Sequence, residues 1–245
     1  MVKNMLFTSA GDNTNFDNIW IGNNMNYDIY VIYYNDNNEI YEKYKSKVKF
    51  IEKRKGSKFQ NFLYFYNKYP EIISQYEYFF ILDDDIIFDI NDINTMFEVA
   101  NKYNLSICGP TYLNNKDKGT NGPGKDIYKP NTLLTYTNFI EVGIPLFNKN
   151  ALDNLMKVLH PSLIGWGIDI LYIWANGINE KKKFASIHIV NCINPSPEQK
   201  PLNRGREHKY IKGDNRERWL WKKYARNIGC PVKLKGIEYE NIKLD

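Results

Sequence analysis

The sequence is poor in cysteine, and its three cysteines, Cys108, Cys192 and Cys230, stand alone. Neither zinc-site spacing nor an even-numbered disulfide framework is present, which points to a reducing compartment. Long apolar runs are also missing. The N-terminal stretch MVKNMLFTSAGDN is too polar for a signal peptide, and no segment reaches the length of a membrane span. A cytoplasmic protein is the resulting expectation. No internal repeat and no linker interrupts the 245 residues, a length that suits one domain with a substantial core. The G-x-S-x-G nucleophile elbow and the His-Glu-x-x-His zinc helix are absent. Gly119–Asp126 matches seven positions of a phosphate-binding loop. However, Asp126 stands where Ser or Thr would hold magnesium, and Pro130 blocks the helix that should follow.

Aromatic residues make up 15% of the chain and charged residues 25%, the composition of a folded rather than a disordered protein. The net charge is +5, with basic residues richest in the C-terminal third. That balance favours a polyanionic or phosphorylated ligand without implying nucleic acid, and none is expected. Strands are expected at Asn4–Ser9, Tyr27–Tyr34, Val48–Ile51, Leu105–Thr111, Leu133–Phe147 and Phe184–Ile193. Between them, Asn35–Asn38 reads as a turn, Ser57 caps a helix stopped at Pro70, and Asn91 caps a helix over Ile93–Tyr103. Helices also follow at Ala151–Leu159, up to Ala175 and at Asp214–Asn227. Alternation of strand and helix predicts an α/β fold with a mostly parallel central sheet flanked by helices and a C-terminal loop-and-helix extension.

The chain is organised around Tyr76–Asp89, YEYFFILDDDIIFD. Its continuous apolar run fits a strand buried on both faces, and three carboxylates, Asp83, Asp84 and Asp85, end it. Three like charges at a buried strand end repel unless a cation compensates them. In an extended chain Asp83 and Asp85 share one face and Asp84 takes the other. Carboxylates paired in that way form a site for a hard divalent cation.

An apolar strand closed by Asp83-Asp84-Asp85, with Gly165-Trp166-Gly167-Ile168-Asp169 further on, resembles the DXD-containing, GT-A-fold glycosyltransferases. The resemblance implies one such domain over 1–245: a nucleotide-sugar donor half at 1–112, an acceptor half at 113–193, and a basic loop and terminal helix at 194–245. It implies transfer of a hexose or pentose from a UDP- or GDP-sugar to a glycan or other hydroxyl acceptor, with Mn²⁺ or Mg²⁺. Asp83 and Asp85 would hold the metal, Asp84 would contact the donor, and Trp166 would line the acceptor. Asp169 would be the general base of an inverting displacement; its plainer role is to cap the helix that starts at Ile170. Thr8, Ser9 and Asp36, on loops after the first two strands, become nucleotide-binding candidates, although turn chemistry accounts for them as well. Lys58 opens a helix behind Arg54-Lys55, where a phosphate could bind; a solvated basic turn is the alternative. His188 is the candidate third metal ligand against a satisfied buried histidine, and Arg204, Arg206, His208 and Lys209 form a basic loop. A nucleotidyltransferase is the rival enzyme, but Thr8–Asp12 has one Gly and no cation where its basic Gly-rich loop would lie. A non-catalytic carbohydrate-binding relative is the rival from another class.

Overall fold

The N-terminal apolar runs become β1 (Asn4–Ala10), β2 (Asp28–Tyr33), β3 (Phe50–Lys53) and β4 (Tyr78–Asp83), paired in parallel in the order β3-β2-β1-β4. The computed structural model describes residues 3–113, 128–195 and 214–244. The Gly119–Asp126 loop and the basic residues Arg204, Arg206, His208 and Lys209 lie outside the described residues. Helices α1 (Phe16–Ile19), α2 (Asn38–Lys45), α3 (Lys58–Lys68) and α4 (Pro70–Ile73) fall between these strands. Then follow α5 (Ile90–Lys102), β5 (Ile107–Tyr112), β6 (Thr132–Thr137), β7 (Leu146–Asn148), α6 (Lys149–Val158), α7 (Ile168–Ala175), β8 (Phe184–Cys192), α8 (Asp214–Ile228) and β9 (Glu238–Lys243).

The described residues form one nine-stranded sheet, ordered β3-β2-β1-β4-β7-β5-β8-β6-β9. An α/β sheet flanked by helices is the fold, as the pattern predicts. Its mostly parallel character is corrected: β4–β7, β5–β7, β6–β8 and β6–β9 are all antiparallel, leaving β5–β8 as the parallel pair of that half. The cause lies in Leu133–Phe147, which is two strands and not one. These two strands do not pair with each other: β7 enters between β4 and β5, and β6 lies beyond β8, each antiparallel to its neighbours. Two helix starts are also corrected. Asn37, inside the expected turn, caps α2 by accepting from Glu39 N and Ile40 N. Asp89 caps α5 by accepting from Asp92 N, so Asn91 is already inside the helix.

Strand alternation divides the core into two layers. Tyr78, Phe80 and Leu82 of β4 pack with α5 residues such as Met96 and Phe97. Phe79 and Ile81 face the other way, among Phe59 and Phe62 of α3, Leu152 of α6 and Leu171 of α7. Phe80 is completely buried, which contributes about 2–3 kcal/mol of apolar transfer. Continuing the alternation, Asp83 must emerge on the α3–α7 side. That fixes the wall on which the site is built.

Candidate active site

In the order β3-β2-β1-β4, the chain runs outward from β1 in one direction and returns as β4 on its other side. Such a switch point opens a crevice beyond the carboxyl ends of the strands. Asp83 closes β4 there, in register with Ser9 of β1. Lys58, at the first position of α3, places its ammonium 2.9 Å from Asp83 Oδ1. The same Nζ donates to the carbonyls of Val142 at 2.8 Å and Gly143 at 2.9 Å. Lys58 is thus held by three acceptors at the floor of the crevice, and the solvated-turn reading does not apply to it.

The triple aspartate departs from simple alternation. The strand stops at Asp83, and Ile86 N donates back to Asp83 O at 3.3 Å, so the chain turns through Asp84 and Asp85. Asp84 Oδ2 accepts from Gly11 N at 3.0 Å and from Tyr34 Oη at 3.4 Å. The backbone of the turn is pinned from outside the strand: Asn15 N donates to Asp84 O, and Asn15 Nδ2 to Asp85 O. Asp84 and Asp85 are buried, whereas the Asp83 side chain is 47% exposed. All three nevertheless line one cavity of about 930 Å³.

A fourth carboxylate, Glu141, reaches this cavity from the β6–β7 connection. Its Oε2 accepts from Gly143 N at 2.5 Å and Tyr112 Oη at 3.0 Å. A Cβ placed on Gly143 would lie 2.7 Å from Glu141 Oε2 and 2.9 Å from Asp83 Oδ2. Two carboxylates therefore flank the same backbone atom. Burial, and secondarily the charge of Asp83, raise the Glu141 carboxyl to about 7 from 4.5. Between those two values the folded protein holds a proton that the unfolded chain has released, so stability falls as pH rises through that window. Glu141→Gln keeps an acceptor for both donors. In metal-free protein it is expected to raise the melting temperature at pH 8 and leave it nearly unchanged at pH 4, below both values. Equal melting temperatures at both pH values would show that Glu141 carries no such cost.

The opposite wall is the Gly165-Trp166-Gly167 turn and the start of α7. Ser57 Oγ of the α3 cap donates to Ile164 O at 2.7 Å, tying this turn to the Lys58 side. Gly167 has φ +82°, left-handed backbone that favours glycine, and precedes the first turn of α7. Asp169 sits in that first turn rather than at the cap position, with Oδ1 accepting from Ile170 N at 3.0 Å. The helix dipole favours its ionised form there. Trp166 is 49% exposed at the cavity, and the guanidinium of Arg218 on α8 lies 4.2 Å from its ring centroid. Trp221, one turn further along α8, is buried against Gly167, and its Nε1 donates to Val232 O at 3.0 Å.

Of the sequence candidates, Asp83, Asp84, Asp85, Ser9, Lys58, Trp166 and Asp169 line this one cavity. Thr8 lies outside its lining: it is fully buried and donates to Leu82 O at 3.0 Å. Asp36 is 87% exposed and pairs with Lys55. The structure does not bring His188 to the aspartates. Its Nε2 is 2.8 Å from Thr135 Oγ1, and its Nδ1 accepts from Lys129 N at 3.1 Å. Burial, with Lys129 nearby, lowers it to about 4. Both ring nitrogens are thus occupied in the β6–β8 layer. Glu141, Tyr34 and the α8 residues were not anticipated. The one signal for Glu141 was a lone charge inside an apolar, strand-like stretch.

No protein-family model matches the chain, and no curated protein matches it in sequence. Solved structures do match in fold. Residues 1–349 of S. aureus TarS in complex with UDP-GlcNAc give a TM-score of 0.57 at 9% identity, covering 92% of this chain and 66% of that one. The same S. aureus segment without that ligand gives 0.53 at 9% identity, covering 79% and 60%. S. aureus TarS itself gives 0.53 at 8% identity, covering 92% and 39%. The chain thus spans less than two thirds of each TarS chain it matches. At this identity the likeness is one of fold, a mixed α/β sheet shared with a protein crystallised with a nucleotide sugar. Among the described residues no helix is long and apolar enough to cross a membrane.

Proposed function

We propose that the protein transfers a hexose or pentose from a nucleoside-diphosphate sugar to a hydroxyl acceptor, with inversion and with the help of Mn²⁺ or Mg²⁺. One observation carries this reading: a single cavity has the β4 carboxylates on one wall and Trp166 and Asp169 on the other. That is the layout needed to hold a donor and an acceptor side by side. The fold shared with a protein crystallised with UDP-GlcNAc supports a UDP-sugar as the first donor to test.

Asp83 and Asp85 would hold the cation. Their oxygens suit a hard divalent ion, and magnesium needs only one or two carboxylates when substrate phosphates complete its shell. Among the described residues no group of three His, Cys, Asp or Glu side chains is arranged to hold a metal, so phosphate oxygens would have to contribute. The Lys58 ammonium against Asp83 illustrates the positive charge this strand end demands. A bound cation would offset the donor's negative charge and stabilise the departing diphosphate. Asp84 and Ser9 would contact the donor from the floor, and Asp169 would take the proton of the attacking hydroxyl.

Thermal denaturation with UDP, GDP and their sugars tests this directly. At 100 times its Kd, the right nucleotide should raise the melting temperature by about 5 °C or more, and only with Mn²⁺ or Mg²⁺ present. If no nucleoside diphosphate stabilises the protein in a metal-dependent way, the reading fails.

A further inference from the structure

The cavity is polarised. Its carboxylates gather at the strand ends, where Asp83, Asp84, Asp85 and Glu141 meet Lys58. The α8 side is lined by three cations, Arg218, Lys222 and Lys233, and a single carboxylate, Glu217, so positive charge predominates there. Arg218 and Lys222 are four residues apart on one helix and share its cavity-facing side with Trp221 between them. Lys233 is next to Val232, whose carbonyl receives the Trp221 indole N–H, which ties its segment to α8.

Among the described residues none of these three cations makes an ion pair with a carboxylate. Several lysines elsewhere are paired, as in Lys3–Glu77, Lys49–Asp28, Lys55–Asp36 and Lys182–Glu240. Arg218, Lys222 and Lys233 instead bring three positive charges to the lining of one cavity. Arg218 is also pre-oriented. Its guanidinium carbon lies over the Trp166 ring, 4.2 Å from the centroid, and a guanidinium held over an aromatic face can still present its N–H fork to an oxyanion. Low-dielectric walls focus the field of such a cluster into the cleft.

We propose that Arg218, Lys222 and Lys233 form a subsite for an anionic group, a phosphate or carboxylate, carried by the hydroxyl acceptor. This rests on the reading of the cavity as a sugar-transfer site. The anion would dock on α8 beside Trp166 and leave the acceptor hydroxyl on the Asp169 side.

The test compares glucose, glucose 6-phosphate and glucuronate as probes, by calorimetric titration into the full chain without donor. Either anion should bind about tenfold more tightly than glucose, or better, and the gain should shrink as salt is raised. Glucose 6-phosphate and glucuronate distinguish a phosphate site from a carboxylate site. The Arg218→Ala/Lys222→Ala/Lys233→Ala variant should lose the preference while its affinity for UDP with Mn²⁺ stays at the parent value. No preference for either anion in the unaltered protein overturns the proposal, and that measurement does not depend on any variant folding. A variant that loses UDP and anion affinity together also overturns it, because the cations then serve the donor diphosphate. Absence of UDP binding in the unaltered protein would instead sink the transfer reading, a separate outcome.

Discussion

Asp169→Asn is expected to slow sugar transfer by about 10²–10⁴-fold, the range for loss of a general base, while leaving UDP affinity unchanged. The substitution is nearly isosteric. An Asn Oδ1 can still accept from Ile170 N, as Asp169 Oδ1 does at 3.0 Å, so the first turn of α7 is preserved. What disappears is the ability to take a proton. In the proposed role the carboxylate would take the proton only as the acceptor hydroxyl turns acidic in the transition state. The loss should therefore appear in kcat and kcat/KM together, the mark of an interaction made in the transition state alone. Steady-state rates with UDP-GlcNAc and a nucleotide titration on the same preparation decide it. If UDP affinity falls in step with the rate, Asp169 is a structural element of the α7 turn.

The aspartate wall was legible because its signals are local. An apolar run ending in three carboxylates specifies burial, direction and charge within fourteen residues of sequence, Tyr76–Asp89. Strand alternation could have gone further. Ser9 shares a face with Met5 and Phe7 and is in register with Asp83, whereas Thr8 belongs with the opposite layer and is sealed against Leu82. Glu141 could not be read because it reaches Asp83 only through the return from β6 to β7, and that return depends on antiparallel pairing of distant strands. Edge strand β9 escaped for a related reason. Its sequence EYENIK is largely exposed and charged, as befits an edge, so no apolar run announces it. The α8 wall was harder still. A basic helix is usually a solvated surface, and only the contact of Trp221 with Gly167 turns three of its neighbouring cations toward the cleft.

That contact should be the most sensitive point of the fold. Gly167→Ala is expected to destabilise the protein by about 2–5 kcal/mol from two separable causes. Alanine at φ +82° incurs the left-handed backbone cost of about 1–2 kcal/mol. Its Cβ would also lie 2.2 Å from Cδ2 and 2.3 Å from Cε2 of Trp221. The ring has little room to withdraw, since Trp221 is 1% exposed and its indole N–H is bound to Val232 O. Overpacking of this kind costs about 1–3 kcal/mol. Trp221→Ala alone should cost about 3–5 kcal/mol by emptying the site. In that background Gly167→Ala should retain only its backbone cost, because the overlap has gone. Urea denaturation of the four proteins measures the difference as a coupling energy. Strictly additive losses would mean that Trp221 does not press on Gly167. A coupling of the expected size would establish that the turn presenting Trp166 and Asp169 is held in place by α8, and that Gly167 is glycine for packing as well as for backbone.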